Sequence, residues 1–389
     1  MNKVIVFAER ILPSTQTFIP LQVNELQRYE PQYVGLIPAE RNLQLPHAPV
    51  MMTHNRAFVS RVRRELYRWI GIAPGFHARI RNKHARLIHA HFAEGGPAAF
   101  SLSQRLKLPF VLHLRGGAEL LLDHELRRHL FQLPFLAYRR RIWERASLFL
   151  CVSHFIKEKA LRAGFPAAKL YVQYTGMDLR SFTTTEASGS KDHDLILYVG
   201  RLVPYKGCDY LLRAMHQVQQ LYPSAHLVVI GDGFFRPELE RLASELQINC
   251  QFLGEMPQAQ IRTWLERARV FCGPSVTLSD GMSEAFGNVF SEAQAMGVPV
   301  VSFRHGGIPE TMLEHVTGLL AEERDTAALC QHLLRYLTDD AFWRHSRQSG
   351  MHWVRERFDV RRQTARLEDI YDAVVAGFRP NQSSQEARL

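Results

Sequence analysis

Glu284 and Glu292 stand eight positions apart in SEAFGNVFSEAQAMGVPVVS, residues 283–302, among phenylalanine, alanine and an apolar run. A carboxylate beside buried apolar surface is costly unless something pairs with it. When ionised it only accepts, and it can take two hydroxyls at once, which is what a ribose or hexose diol offers. One glutamate therefore suits a nucleotide's ribose and the other a sugar; two glutamates on a solvated helix face is the plain alternative. Upstream, LYVGRLVPYKG (197–207) reads as a strand ending in Gly200, followed by Arg201, Lys206 and a helix from CDYLL. Two cations converging beside a helix N-terminus suit one anion, and a diphosphate fits. LVVIGDGFFRPELERL (227–242) repeats the layout with Gly231, Asp232 and Gly233 at the strand exit, a pattern that many turns use for shape alone. VFCGPS followed by VTLSDGMSEAFGN supplies a third loop.

Around the glutamates the residue types predict a helix beginning at Phe286, Gly287 and Asn288 and running to Met296, stopped by Gly297 and Pro299. Glu284 would lie in the loop just ahead, where free backbone N–H groups face a ligand and Gly287 lets it approach. Glu292 would lie about two turns inside the helix.

These loops need strands to aim them. Short β-branched runs alternate with helical patterns along the chain: KVIVFA, YVGLI, LIHAHF, PFVLHLRG, LFLCVS and LYVQYTG, then LILYVGR, HLVVIGDG, CQFLGE, VFCGPS and VPVVSF. Continuous apolar strands separated by helices indicate parallel sheets covered on both faces. Two such series in 389 residues predict an α/β protein of two doubly wound, Rossmann-like domains with a cleft between them, their ligands beyond the carboxyl ends of the strands. The expected boundaries are residues 1–182 for the first domain and 195–360 for the second. The polar stretch TTTEASGSKDHD (183–194) is read as the linker, and 361–389 as a C-terminal helix packing back on the first domain, with a disordered tail. Asp192 to Asp194, DHD, has the look of a metal-binding DxD but precedes a strand and is read as linker.

The net charge of +10 is uneven. Residues 1–185 carry 27 Lys+Arg against 12 Asp+Glu, and residues 186–389 carry 21 against 26. The excess gathers in RVRRELYRWIGIAPGFHARIRNKHAR (61–86) and AYRRRIWER (137–145). Solvated helix faces are the bland reading. Trp69, Ile70, Ile72 and Phe76 interleaved with arginines suggest instead an interfacial surface facing anionic lipid, where each cation contributes about 1 kcal/mol, or a phosphate-bearing acceptor. No nucleic-acid-binding motif accompanies the charge. Five dispersed cysteines without a CxxC pair read as buried thiols in a reducing cytoplasm, not as a zinc site. The N-terminal residues read as a strand entering a turn, not as a signal peptide, and no apolar run reaches the length of a membrane span.

EAFGNVFSEAQAMGVPVVSFRHGGIPE resembles the E-x7-E region of the retaining family-4 glycosyltransferases, and YVGRLVPYKG, VVIGDG, FLGEMPQAQI and VSHFIKEKALRAGFPAAKLYVQYTGMD extend the resemblance over nearly the whole chain. It implies a GT-B fold with a UDP- or GDP-sugar held by the second domain, and a growing, lipid-linked bacterial glycan as acceptor. It also implies retention of anomeric configuration without a metal or other cofactor. Carried over by match, Arg201 and Lys206 would bind the donor diphosphate, Glu292 the ribose hydroxyls and Glu284 the transferred sugar. The amides of Phe286 to Asn288 would touch sugar and phosphate. Such chemistry differs from the glycosidase scheme of two carboxylates flanking the bond, so Glu284 is not assigned as a general acid.

In the first half, ILPSTQTFIPLQVNELQ resembles the SETFI opening of relatives that build exopolysaccharides and O-antigens, with Gln16 in place of glutamate. LIHAHFAEGG puts His89 and His91 near a strand exit, one of them read as packing. PFVLHLRGGAE aligns with a segment that often reads THGxD. Counted from Pro109 the histidine position falls on Arg115 and the threonine on His113, while a frame shift of two would return His113 to the cleft. The expected protein is a cytoplasmic, membrane-associated hexosyltransferase. A GT-B nucleotide-sugar epimerase and a noncatalytic sugar-nucleotide-binding subunit are the rival readings.

Overall fold

In a computed structural model, residues 1–11, 16–38, 45, 47–55, 57–82, 84–116, 132–182 and 191–377 are described. They form two compact units, Met1–Gly176 with Val360–Leu389, and Met177–Asp359. The first unit thus ends six residues before the expected boundary at 182. Most of the expected linker (183–190) and the C-terminal tail fall outside the described residues.

The first unit is built on β1 (Asn2–Ile11), β2 (Tyr29–Pro38), β3 (Val50–Met51), β4 (Ala85–His91), β5 (Phe110–Leu114), β6 (Leu148–Cys151) and β7 (Leu170–Val172). They pair in the order β3-β2-β1-β4-β5-β6-β7, every pairing parallel. The second unit has β8 (Leu195–Val199), β9 (His226–Ile230), β10 (Cys250–Gly254), β11 (Val270–Cys272), β12 (Val300–Phe303) and β13 (Gly318–Ala321), in the order β10-β9-β8-β11-β12-β13, again all parallel. Central strands such as LILYV and HLVVI are apolar throughout because helices cover both faces of the sheet. Helix Cys208–Leu221 lays Leu211, Leu212, Met215 and Val218 on one side, and helix Thr326–Thr338 adds Leu329, Leu333 and Tyr336 to the same core.

In each sheet the connections run outward in opposite directions from a central pair, β1 and β4 in the first unit and β8 and β11 in the second. The strand exits there part and leave a crevice, the ligand position of open α/β sheets.

The helix Val360–Val375 belongs to the first unit, where Leu367, Ile370, Tyr371 and Val374 join its core. Glu368, 3% exposed, accepts the backbone N–H groups of Gln27 and Arg28 at 2.9 and 2.6 Å. The Arg28 side chain reaches Asp369 and Asp372 at 2.7 and 2.5 Å.

The basic segments are helices. Phe58–Ile70 exposes Phe58, Val59, Val62, Leu66, Trp69 and Ile70, three or four apart and so on one face. Arg61 and Arg63 are exposed on the same helix, and Ile72 is exposed just beyond it. Two expectations need correction here. Phe76 does not join that surface: it is buried edge-on against Tyr67, ring centroids 5.7 Å apart. Arg68 is also buried, reaching Glu65 at 3.1 Å and Glu9 at 3.4 Å. The helix turns in its polar residues near the C-terminus and leaves its apolar stripe outside. The second basic segment lies in helix Leu133–Arg145, whose Tyr138 hydroxyl donates to the Trp69 carbonyl and so joins the two.

The five cysteines form no disulfide. Four are buried and Cys250 is half-buried, its thiol pushed up by burial to about 12. Among the described residues no helix is long and apolar enough to cross a membrane.

Candidate active site

The exits of β8 and β11 carry the site of the second unit. After β8 the chain turns through Gly200 to Leu202, a short helical turn at Pro204–Lys206, and Gly207. The next loop lies against it: Gly200 N–H donates to Ile230 O, and Leu202 N–H to Asp232 O at 2.9 Å. A Cβ on Gly231 would stand 1.9 Å from Gly200 O, so only glycine allows the two turns to meet. The Asp232 carboxylate accepts from Gly233 N–H at 2.7 Å and faces Arg236 at 3.6 Å. The GDG residues therefore shape the crevice wall.

After β11 the chain runs to Gly287, left-handed at φ 89°, which opens helix Asn288–Ala295. The helix starts at Asn288 and ends at Ala295, shorter than the expected span at both ends. Phe286 stays outside it, buried edge-on against Phe358 at 5.3 Å.

Lys206 and Glu284, 78 positions apart, meet directly: the ammonium donates to the carboxylate, with side chains 19% and 14% exposed. Burial alone would raise the Glu284 carboxyl, but the Lys206 ammonium outweighs it and holds the group below the usual carboxylate range. Burial would likewise lower Lys206, and Glu284 reverses the direction. Both are therefore charged at neutral pH. Arg201 is exposed beside them; its guanidinium donates to the Tyr205 hydroxyl at 2.6 Å, and Lys206 lies 5.5 Å from the centre of the same ring.

Glu292 makes no contact with this group. It is half-buried within its helix, its carbonyl accepts the Met296 N–H at 3.2 Å, and its carboxylate has no hydrogen-bond or ion-pair partner among the described residues. Burial alone pushes its carboxyl up to about 7. A lone carboxyl of this kind is poised to accept donors from outside the protein.

The first unit presents a different arrangement. His89 and His91 lie on one face of β4 because side chains alternate, and His113 of β5 pairs in register with His91. The rings stack: His113 lies 5.3 Å from His89 and 5.7 Å from His91. Arg115, just past β5, donates from Nε to His91 Nδ1 at 3.2 Å and from Nη1 to the Thr175 hydroxyl at 2.8 Å, its guanidinium 4.8 Å from the Phe18 ring centre. The Tyr371 hydroxyl meets His89 Nδ1 at 2.5 Å. Burial first, and Arg115 with it, pushes all three histidines far below their usual range, so the stack is neutral. Ligand atoms of the three rings lie within 4.8 Å of one another, the spacing of a metal set. The donors do not suit a cation, because the guanidinium already holds His91 Nδ1 and stands 3.3 Å from His113 Nδ1. His91, His113 and Arg115 are thus brought together, with both rings fully buried. Gln16, half-buried, accepts Ile19 N–H through its backbone, and its Oε1 is buried without a partner among the described residues.

A sheet in the order 3-2-1-4-5-6, with cations and carboxylates collected where its connections part, is the architecture shared by Rossmann-like nucleotide-binding domains. Residues 183–351 match the family of glycosyl transferases group 1, and residues 30–181 match glycosyltransferase family 4. The chain is 30% identical over 307 residues to the putative teichuronic acid biosynthesis glycosyltransferase TuaC of Bacillus subtilis, covering 76% of this chain and 72% of that protein. It is 29% identical over 306 residues to the GDP-mannose-dependent alpha-(1-6)-phosphatidylinositol monomannoside mannosyltransferase of Mycolicibacterium smegmatis, covering 75% of this chain and 79% of that one. The structure of Anabaena HepE in complex with UDP and glucose superposes with a TM-score of 0.74 at 18% identity, over 96% of this chain and all of that one. The chain belongs to the family-4 glycosyltransferases and has their GT-B fold of two Rossmann-like domains.

His305, Glu323 and Thr277 also reach this site, though the motifs do not single them out. The cue was in the sequence: RHGGIPE follows the apolar run VPVVSF, so its histidine had to emerge at a strand exit.

Proposed function

We propose that this protein transfers a hexose from a UDP- or GDP-sugar to a lipid-linked glycan acceptor in the synthesis of a bacterial surface polysaccharide. The observation that carries the reading is the half-buried Lys206–Glu284 pair at the switch point of the second sheet, with Arg201 beside it. In this reading Arg201 and Lys206 bind the donor diphosphate. When the bond from the anomeric carbon to phosphate oxygen breaks, negative charge grows on the leaving diphosphate, and fixed cations lower that barrier. The acceptor hydroxyl attacks on the face the diphosphate leaves, its proton passes to a phosphate oxygen, and the anomeric configuration is retained. Glu284 accepts hydroxyls of the transferred sugar, and Glu292 those of the ribose. Protein cations supply the positive charge, so no metal is required. A relative named for GDP-mannose and a fold neighbour solved with UDP support both nucleotide classes.

Thermal-shift measurements against UDP-, GDP- and ADP-sugars test the reading, since a ligand that binds only the native state raises the melting temperature. One UDP- or GDP-sugar is expected to stabilise the protein and to be slowly hydrolysed without acceptor. No shift with any of them would contradict the proposal.

We further propose that the first unit docks on the inner, anionic face of the membrane through the stripe Phe58, Val59, Val62, Leu66, Trp69 and Ile70 and its flanking arginines. An apolar helix face edged with basic residues suits an interface at about 1 kcal/mol per cation. Neutralising Arg61, Arg63 and Arg64 together is expected to cut binding to anionic vesicles at least tenfold in cosedimentation. Unchanged binding would remove the membrane role.

A further inference from the structure

Glu284 can hold a sugar only if its peptide is fixed, and its loop is not part of a helix or strand. The residues that fix it come from three neighbouring strand exits. His305 follows β12, Glu323 follows β13 and Thr277 follows β11; these strands are consecutive in the sheet. The Glu284 N–H donates to His305 Nε2 at 3.0 Å. With Nε2 accepting, the ring proton sits on Nδ1, which donates to Glu323 Oε2 at 3.0 Å. The Glu323 carboxylate is held in turn by the Thr277 N–H at 2.8 Å and hydroxyl at 3.2 Å. Burial would raise that carboxyl; these bonds hold it low and keep it an acceptor.

The other side of the same peptide is clamped as well. Gly307 N–H donates to Glu284 O at 3.1 Å. A Cβ on Gly306 would stand 2.2 Å from Glu284 O, and one on Gly307 2.1 Å from Ala285 O, so the two chains are pressed together with no room for side chains. Glu284 is therefore gripped at its amide by His305, at its carbonyl by Gly307 and at its carboxylate by Lys206.

We infer that His305 is a positioning residue for the transfer reaction: its ring, locked in one tautomer by Glu323, sets the backbone of Glu284 and through it the sugar-holding carboxylate. The inference rests on the proposed role of Glu284 and extends it. A ring that only fills space would make no distinction between its two nitrogens, whereas here each has its own task. The two amide replacements separate those tasks. A glutamine at 305 places an acceptor where Nε2 stood and can keep the Glu284 N–H; an asparagine reaches only the Nδ1 position and can keep Glu323 alone.

The experiment compares wild type, His305→Gln and His305→Asn in the full-length protein for donor turnover, nucleoside-diphosphate affinity and melting temperature. Glutamine is expected to stay within about fivefold of wild-type kcat. Asparagine is expected to fall about 100-fold, the scale of a misplacement near 1 Å, while both bind the nucleotide within twofold of wild type. Equal loss in the two variants, or none in asparagine while wild type is active, would overturn the positioning role. If either variant melts too low to assay, Glu323→Gln, which leaves the ring in place but weakens its lock, must lower kcat at unchanged nucleotide affinity, and failure to do so has the same consequence. A wild-type protein that turns over no nucleotide-sugar would instead sink the proposed function itself.

Discussion

Replacing Lys206 with alanine is expected to lower turnover about a thousandfold, the upper range for deleting one preorganised charge at a developing anion. The size follows from two losses at once. In the proposed mechanism the leaving diphosphate loses a half-buried cation, and Glu284 loses the partner that keeps it ionised and oriented. Removing one member of this half-buried pair also destabilises, by at most about 3 kcal/mol, because the remaining charge is left without compensation. Activity and stability must therefore be read separately, by single-turnover kinetics at a temperature where circular dichroism shows the variant folded. The double variant Lys206→Ala with Glu284→Gln removes both charges. It is expected to recover much of the lost melting temperature but none of the rate, since neighbours in one pair are not additive. A Lys206→Ala variant within twofold of wild-type turnover would remove the lysine from the mechanism.

Glu292→Gln is expected to weaken nucleoside-diphosphate affinity about tenfold to 100-fold, the loss of one of two hydrogen bonds to a charged acceptor, since the amide oxygen still accepts the other, with a smaller effect on the chemical step. The pH dependence gives the sharper test. Burial raises the Glu292 carboxyl from 4.5 to about 7 in the ligand-free protein. For a carboxyl raised in the folded state, the relative stability is fully present below pH 4.5 and is lost as pH rises through about 7, a swing of at most roughly 3 kcal/mol. Glu292→Gln is expected to remove that fall, so the variant should gain on wild type above pH 7. Ribose hydroxyls donating to the carboxylate favour its ionised form. Nucleotide binding should therefore strengthen between pH 6 and pH 8 and release a proton, measured by calorimetry in buffers of different ionisation enthalpy. An affinity independent of pH in wild type, or a variant with wild-type affinity, would contradict the ribose role.

The strand-exit loops were legible because they depend on local chemistry. A continuous apolar run, a glycine and then a charged residue identify the end of a parallel strand in a single sequence, and Arg201, Lys206 and the GDG turn all stand where that pattern puts them. Other features needed the sheet order. His305 emerges at a legible strand exit, but its partners Glu284 and Glu323 lie 21 and 18 positions away and meet it only because β11, β12 and β13 are neighbours. The histidine stack has the same origin: HAH shows alternation within β4, while the third ring arrives through the register of β4 with β5. Residues 58–76 failed in another way. Composition marked them as basic and amphipathic, but which members turn inward depends on Glu9, at the far end of β1, pairing with Arg68, and on Tyr67 covering Phe76. Arg68 therefore lies inside although its charge suggested the surface, and Phe76 lies inside although the interfacial reading placed it outside.

In the proposed mechanism the donor lies at the β8–β11 switch point of the second unit. A crystal structure with the intact nucleotide-sugar identified by thermal shift is the most direct measurement. It should show diphosphate oxygens within hydrogen-bond reach of Arg201 and Lys206, sugar hydroxyls on Glu284 and ribose hydroxyls on Glu292. A donor bound elsewhere, with the Lys206–Glu284 pair closed and untouched, would contradict it.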